Sequence, residues 1–189
     1  MMCRTDRLPF FKRMTSRAAK ARHQKFALNL SSAVMVKNDE VFSNLKALLP
    51  YCDLLFGNED EWASFAAKSG LGDEVRRAMD QTVEAMKLGA CVVQTRGLNP
   101  VFMLQSASTD GGTGGKQWHE VPTQKVPRDR FVDANGAGDS FVGGFLAGVV
   151  LGFDPLTCAT FGNECAAHNV QQEGCVFTGA PFSRPLERR

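Results

Sequence analysis

The chain has 189 residues, 43% of them hydrophobic and 22% charged, with a formal net charge of +2. That length supports one domain with its own core, and the composition is that of a soluble globular chain. A charge so close to balance leaves no footprint for nucleic acid or a membrane surface as partner, and no apolar run approaches the ~20 residues of a membrane span.

The first 25 residues are rich in Lys and Arg and hold a single acid, Asp6. Two readings stand: a solvated basic helix feeding the first strand, or a targeting segment. Residues 1–24 are set apart on this ground as a basic N-terminal segment, with 25–189 expected to form the domain. Within the segment, the breaker-free stretch Thr15 to Gln24 predicts a helix. "KFALNL" (25–30) predicts a short buried strand. Residues 38–49 place Val41, Phe42, Leu45, Leu48 and Leu49 at helical spacing, with Asn38 or Asp39 as cap and Pro50 as stop. "CDLLF" (52–56) predicts a second strand. "GNEDEWASFAAKSG" then predicts a loop, a helix and a glycine stop at Gly70. Residues 73–88 form the next predicted helix, through Val75, Met79, Val83 and Met86. "ACVVQT" (90–95) is a third strand. "VFMLQ" (101–105) and "QWHEVP" (117–122) suggest an antiparallel pair around the loop 110–115. Two helices, 138–151 and 155–171, precede the tail. Apolar strands alternating with helices predict an α/β fold with a mainly parallel sheet. Ligands of such sheets gather at the carboxyl ends of the strands.

The six cysteines are dispersed and form no C-x-x-C pair, and His23, His119 and His168 do not stand at ligand spacing from them. Reduced thiols in an intracellular protein are expected, and no zinc site.

The most informative stretch is "FVDANGAGDSFVGGFLAGVVLG" (131–152). Phe141, Val142, Phe145, Leu146, Val149 and Val150 make a helical stripe, which puts Gly136, Ala137 and Gly138 at the helix N-terminus. The first N–H groups there lack intrahelical partners and favour an anion. Small residues let a phosphate approach the backbone closely. Asp139 falls in the first turn. It either complements the helix dipole or accepts a proton from an attacking hydroxyl. This is no P-loop: the nearest imitation, "DGGTGGKQ", has Asp110 at the first glycine position and Gln117 at the hydroxyl position.

"DANGAGDSFVGGF" resembles the C-terminal signature of the ribokinase-like (PfkB-type) sugar and nucleoside kinases. Asn135, "FVGGFLAGV" and "ALNLSS" resemble the adenosine kinase branch. "LLFGNEDEW" carries the family's Asn-x-x-Glu motif as Asn58 and Glu61. "TRGLNP" resembles the loop bordering the nucleotide site, and "EGCVF" (173–177) the C-terminal loop. The resemblance runs from about residue 21 to 177. It implies a three-layer, Rossmann-like fold with a mainly parallel sheet. It also implies ATP and Mg²⁺ as cofactors, adenosine as acceptor through its 5′-hydroxyl, AMP as product, and a cytoplasmic or nuclear monomer. Asp139 would be the base, and Gly136, Ala137 and Gly138 the anion hole. Asn135, Thr95, Arg96, Gly97 and Asn163 would border the nucleotide. Asn58 and Glu61 would act on magnesium through water. Asp133 would fix its loop, near a place for a monovalent cation. Arg96 reads equally as an exposed loop arginine or as a phosphate fork. His168 reads as a packed helix residue, and Cys175 and Phe177 as tail packing. No lid segment and no Gly-Gly signature stand before residue 25. The expected fold is therefore truncated at its N-terminal side, with an exposed sheet edge open to association. A sugar kinase of the same family and an inactive nucleotide-binding chain are the alternatives.

Overall fold

The computed structural model describes residues 8–20, 24–106 and 115–174. The elements are α1 (Leu8–Lys20), β1 (Ala27–Asn29), α2 (Ala33–Lys37), α3 (Asp39–Leu48), β2 (Leu54–Asn58), α4 (Glu59–Lys68), α5 (Val75–Glu84), β3 (Cys91–Arg96), β4 (Asn99–Gln105), β5 (Gln117–Val121), α6 (Ala137–Val150) and α7 (Pro155–Asn169). Single 3-10 turns lie at Leu49–Tyr51 and Arg128–Arg130. The five strands follow the order β1-β2-β3-β4-β5, and β1, β2 and β3 run parallel. Only two residues separate β3 from β4, a connection that joins antiparallel neighbours. The chain forms two compact units: Met1–Arg96 with Phe102–His119, and Gly97–Val101 with Glu120–Arg189.

Several boundaries differ from the sequence expectation. Helix α1 begins at Leu8 rather than Thr15, and residues 21–23 lie outside the described residues, as does most of the 110–115 loop. The five-residue α2 was not expected, because "AVMVK" is too short to show a period. Strand β2 runs on to Asn58, so the expected loop before α4 is absent.

The first unit is built on a core containing Leu55, Trp62, Met79 and Val92, all fully buried. Each such side chain contributes about 1.5–3 kcal/mol. Trp62 explains the extension of β2 through a turn-like glycine. A Cβ added at Gly57 would lie 2.8 Å from Leu30 Cδ1 and 3.0 Å from the indole Nε1 of Trp62. That Nε1 donates to the Val93 carbonyl at 3.1 Å, so the indole spans from β2 to β3. Phe65 meets both Trp62 and Phe42 edge-on, with centroids 5.6 and 5.2 Å apart. Asn38 caps α3 as the sequence suggests, accepting from the Val41 N–H at 3.1 Å. At the start of β2, Asp53 Oδ2 accepts from the Phe26 N–H and from Lys87 Nζ, both at 2.7 Å. A half-buried carboxylate so engaged ties the entries of β1 and β2 to the end of α5.

The second unit is organised by the packing of α6 on α7. Phe141, Phe145, Cys158 and Ala159 are buried between them. Glycines bring the two backbones close. A Cβ at Gly144 would fall 2.6 Å from Cys165 Sγ and 2.7 Å from the Phe161 carbonyl. One at Gly148 would meet Cys158, and one at Gly162 the ring and carbonyl of Phe141 at 2.8 Å. Helix α7 starts at a complete cap. Asp154 Oδ1 accepts from the N–H groups of Leu156 and Thr157 at 3.1 Å, and its Oδ2 from the Thr157 hydroxyl at 2.6 Å. The Thr157 hydroxyl first, then its N–H, hold the Asp154 carboxyl below the usual carboxylate range. The cap therefore contributes stability that is present above roughly pH 4, the unfolded value, and is lost as pH falls through the lower folded one. Asp154→Asn keeps the cap acceptor and removes the titration. In acid titrations followed by helicity, its loss of stability is expected to be shallower than the parent's.

Candidate functional site

The candidate site of the second unit is the loop from Phe131 to Gly136 together with the start of α6. Gly136 occupies the N-cap with φ +75°. Only glycine adopts that conformation without strain, and it lets the chain turn sharply into the helix. As a glycine, the N-cap residue supplies no side-chain cap to α6. The Ala137 N–H reaches the Ala134 carbonyl at 3.2 Å, and the Ser140 N–H closes the first turn onto the Gly136 carbonyl at 2.8 Å. The first-turn N–H groups of Gly138 and Asp139 precede that ladder and face the helix end, which is the geometry that receives an anion. Asp139 is exposed in this turn, and a Cβ added at Gly138 would meet nothing within 4 Å.

The loop is held from the far end of α7. Asp133 Oδ1 accepts from the Asn135 N–H at 2.9 Å, and Oδ2 from the Gly174 N–H at 3.3 Å. The Asn135 N–H foremost holds the Asp133 carboxyl below its ordinary range. The Val132 N–H donates to the Val170 carbonyl at 2.8 Å. Asn169, buried near the end of α7, donates from Nδ2 to the Asn135 carbonyl at 2.7 Å.

Beside this loop lies a cavity of about 590 Å³. Its walls are mostly apolar, from Leu98, Val126, Phe131, Ala134, Ala166 and Val170, and Ala137 connects it to the start of α6. Gly97, Thr123, Gln124, Arg128, Asn163 and Ala167 complete the lining. A largely apolar cleft with a few polar groups is the usual form of a small-molecule site. Asn163 is buried and donates from Nδ2 to the Pro122 carbonyl at 3.0 Å.

The structure thus gathers Gly97, Asn135, Gly136, Ala137, Gly138, Asp139 and Asn163 in the second unit. Thr95, Arg96, Asn58 and Glu61 belong to the first. Asn58 and Glu61 form a reciprocal capping box at the head of α4. Asn58 accepts from the Glu61 N–H at 2.9 Å, while Glu61 accepts from the Asn58 N–H at 2.9 Å and from Asn58 Nδ2 at 3.1 Å. Asn58→Ala is expected to cost about 1 kcal/mol, read as a lowered denaturant midpoint with unchanged slope. Arg96 pairs with Glu59 at 3.4 Å, and its guanidinium lies 3.9 Å from the Phe102 ring centroid. His168 is exposed rather than packed, because the face of α7 that meets α6 runs through Cys158, Gly162 and Cys165. Cys175 and Phe177 lie outside the described residues.

Sequence reasoning missed the cavity wall from Thr123 to Arg128, which has no period to betray it, and Asn169. Burial pushes the Cys52 thiol up to about 12 and that of Cys158 to about 11, leaving little nucleophilic thiolate at either at neutral pH. Among the described residues, no three His, Cys, Asp or Glu side chains gather into a metal-binding group. No described helix is long and apolar enough to cross a membrane.

A glycine-turned helix N-terminus beside a largely apolar cavity is an arrangement able to receive an anion and a small molecule. The description "pfkB family carbohydrate kinase" matches residues 2–181. The chain belongs to the pfkB family, and its fold is ribokinase-like. Adenosine kinase 1 of Arabidopsis thaliana is 32% identical over 171 residues, covering 86% of this chain and 46% of the plant protein. Adenosine kinase of Saccharomyces cerevisiae is 29% identical over 169 residues. Among solved structures, Anopheles gambiae adenosine kinase in complex with P1,P4-di(adenosine-5) tetraphosphate superposes with a TM-score of 0.78 at 32% identity. That match covers 93% of this chain and 50% of the mosquito protein. Trypanosoma brucei brucei adenosine kinase gives 0.74 at 26% identity. The chain spans about half the length of the relatives it matches.

Proposed function

We propose that the chain carries the phosphoryl-transfer centre of an adenosine kinase, which moves the γ-phosphoryl of Mg-ATP to the 5′-hydroxyl of adenosine and yields AMP. The observation that carries this reading is the glycine-turned start of α6, with Asp139 in its first turn and the cavity against Ala137. In this role the N–H groups after Gly136 hold the phosphoryl, and Asp139 takes the proton from the attacking hydroxyl. The adenine of ATP lies in the cavity against Asn163. Asn135 lies beside the nucleotide, and Thr95, Arg96 and Gly97 are the candidates for contact with its phosphates or ribose. Mg²⁺ arrives with ATP, and Asn58 and Glu61 act on it only through water, since they already bind each other at the head of α4. The relatives named adenosine kinase support the choice of acceptor. So does the mosquito complex, whose ligand carries two adenosines on one phosphate chain.

The test is AMP formation from adenosine and Mg-ATP by the purified chain, with ATP affinity measured in parallel. AMP production supports the reading in full. ATP binding without AMP leaves a nucleotide-binding chain that does not turn over alone. Phosphorylation of a sugar in place of adenosine transfers the same chemistry to another acceptor.

A further inference from the structure

We infer that Asn169 is a positioning residue for the anion-binding start of α6, an inference that rests on the functional reading above. Asn169 lies at the end of α7, where its side chain is buried. A buried amide without a partner is costly, and asparagine is a poor helix former. The amide of Asn169 instead serves a residue 34 positions earlier in the chain, the carbonyl of Asn135.

That bond completes the restraint of a single residue. The Asn135 N–H is held by Asp133, and its carbonyl by Asn169. With both backbone groups fixed, the peptide planes on either side of Asn135 cannot rotate freely. The next residue is Gly136, whose left-handed conformation turns the chain into α6. Glycine is the softest residue of the chain, so an unrestrained Asn135 would pass its freedom straight to the N–H groups of Gly138 and Asp139. Fixing the carbonyl preorganises those donors before the anion arrives, which is where electrostatic stabilisation gains most.

The experiment compares the full chain with Asn169→Leu, which keeps the bulk and removes the donor, and with Asn169→Gln, which returns an amide. Amide hydrogen exchange is followed residue by residue, and binding is measured with inorganic tripolyphosphate and with adenine. In Asn169→Leu, exchange at 135–139 should quicken at least tenfold while the interior of α6 stays unchanged. Tripolyphosphate should bind about tenfold more weakly and adenine within twofold of the parent, with Asn169→Gln recovering part of the loss. Unchanged exchange at 135–139 overturns the inference. So does an equal loss for both ligands with faster exchange throughout α6 and α7, which marks a merely structural residue. A parent that binds neither ligand sinks the nucleotide reading instead, and the exchange data alone then decide whether Asn169 holds the loop.

Discussion

On the proposed phosphoryl-transfer reading, Asp139→Asn is expected to lower AMP formation from adenosine and Mg-ATP by about 100- to 10,000-fold, the span a general base contributes. The substitution keeps the size and shape of the side chain and removes its ability to take a proton. Asp139 is exposed in the first turn of α6, so the fold has little at stake in its charge. Removing a carboxylate from a helix N-terminus costs only about 0.3–1 kcal/mol. ATP should bind the variant as well as the parent, because the N–H groups and the cavity are untouched. A variant as active as the parent would reduce Asp139 to a complement of the helix dipole. Lost ATP affinity together with lost turnover would instead point to a disordered helix start.

The second large effect concerns stability. Gly144→Ala should destabilise the chain by about 1–3 kcal/mol through overpacking. The new methyl would sit 2.7 Å from the Phe161 carbonyl oxygen, a backbone atom of α7 that cannot step aside alone, and 2.6 Å from Cys165 Sγ. Gly143→Ala, one residue earlier on the same helix, meets nothing within 4 Å. It should stabilise by up to about 1 kcal/mol, because alanine is the better helix former. Urea unfolding of the pair reads the difference directly. Two variants shifted in the same direction would mean that α6 and α7 do not meet through Gly144.

Much of this was legible before the structure. Asn38 announced α3, because a short polar side chain before a helical stripe has one economical use, as a cap. Gly136 to Asp139 announced the start of α6, and clustered small residues before an apolar stripe, which weaken a helix unless something must come near its backbone, are the ground for proposing an anion site there. The failures have physical causes as well. Gly57 and Asn58 read as turn residues, yet Gly57 continues β2 because the Trp62 indole covers it from α4, a contact no local pattern displays. The capping box of Asn58 and Glu61 was passed over although it is written in the same Asn-x-x-Glu spacing, while the magnesium reading of that motif stands as a proposal. Asn169 was silent because an asparagine near a helix end reads as an ordinary terminus. Its partner, Asn135, comes near only once α6 and α7 have packed.

That packing also sets how the chain can tolerate chance mutation. A seam of leucines can drift through isoleucine, methionine or valine with small losses. Gly144, Gly148 and Gly162 have no such neighbours, since every alternative residue is larger and each added Cβ starts from a clash. Their tolerance is one-sided, and shrinking a facing side chain is not enough at Gly144 and Gly162, where a backbone carbonyl of the opposing helix stands 2.7 and 2.8 Å from the added Cβ. A larger residue there should therefore require the two helices to move apart, so these positions should vary least of any on the seam.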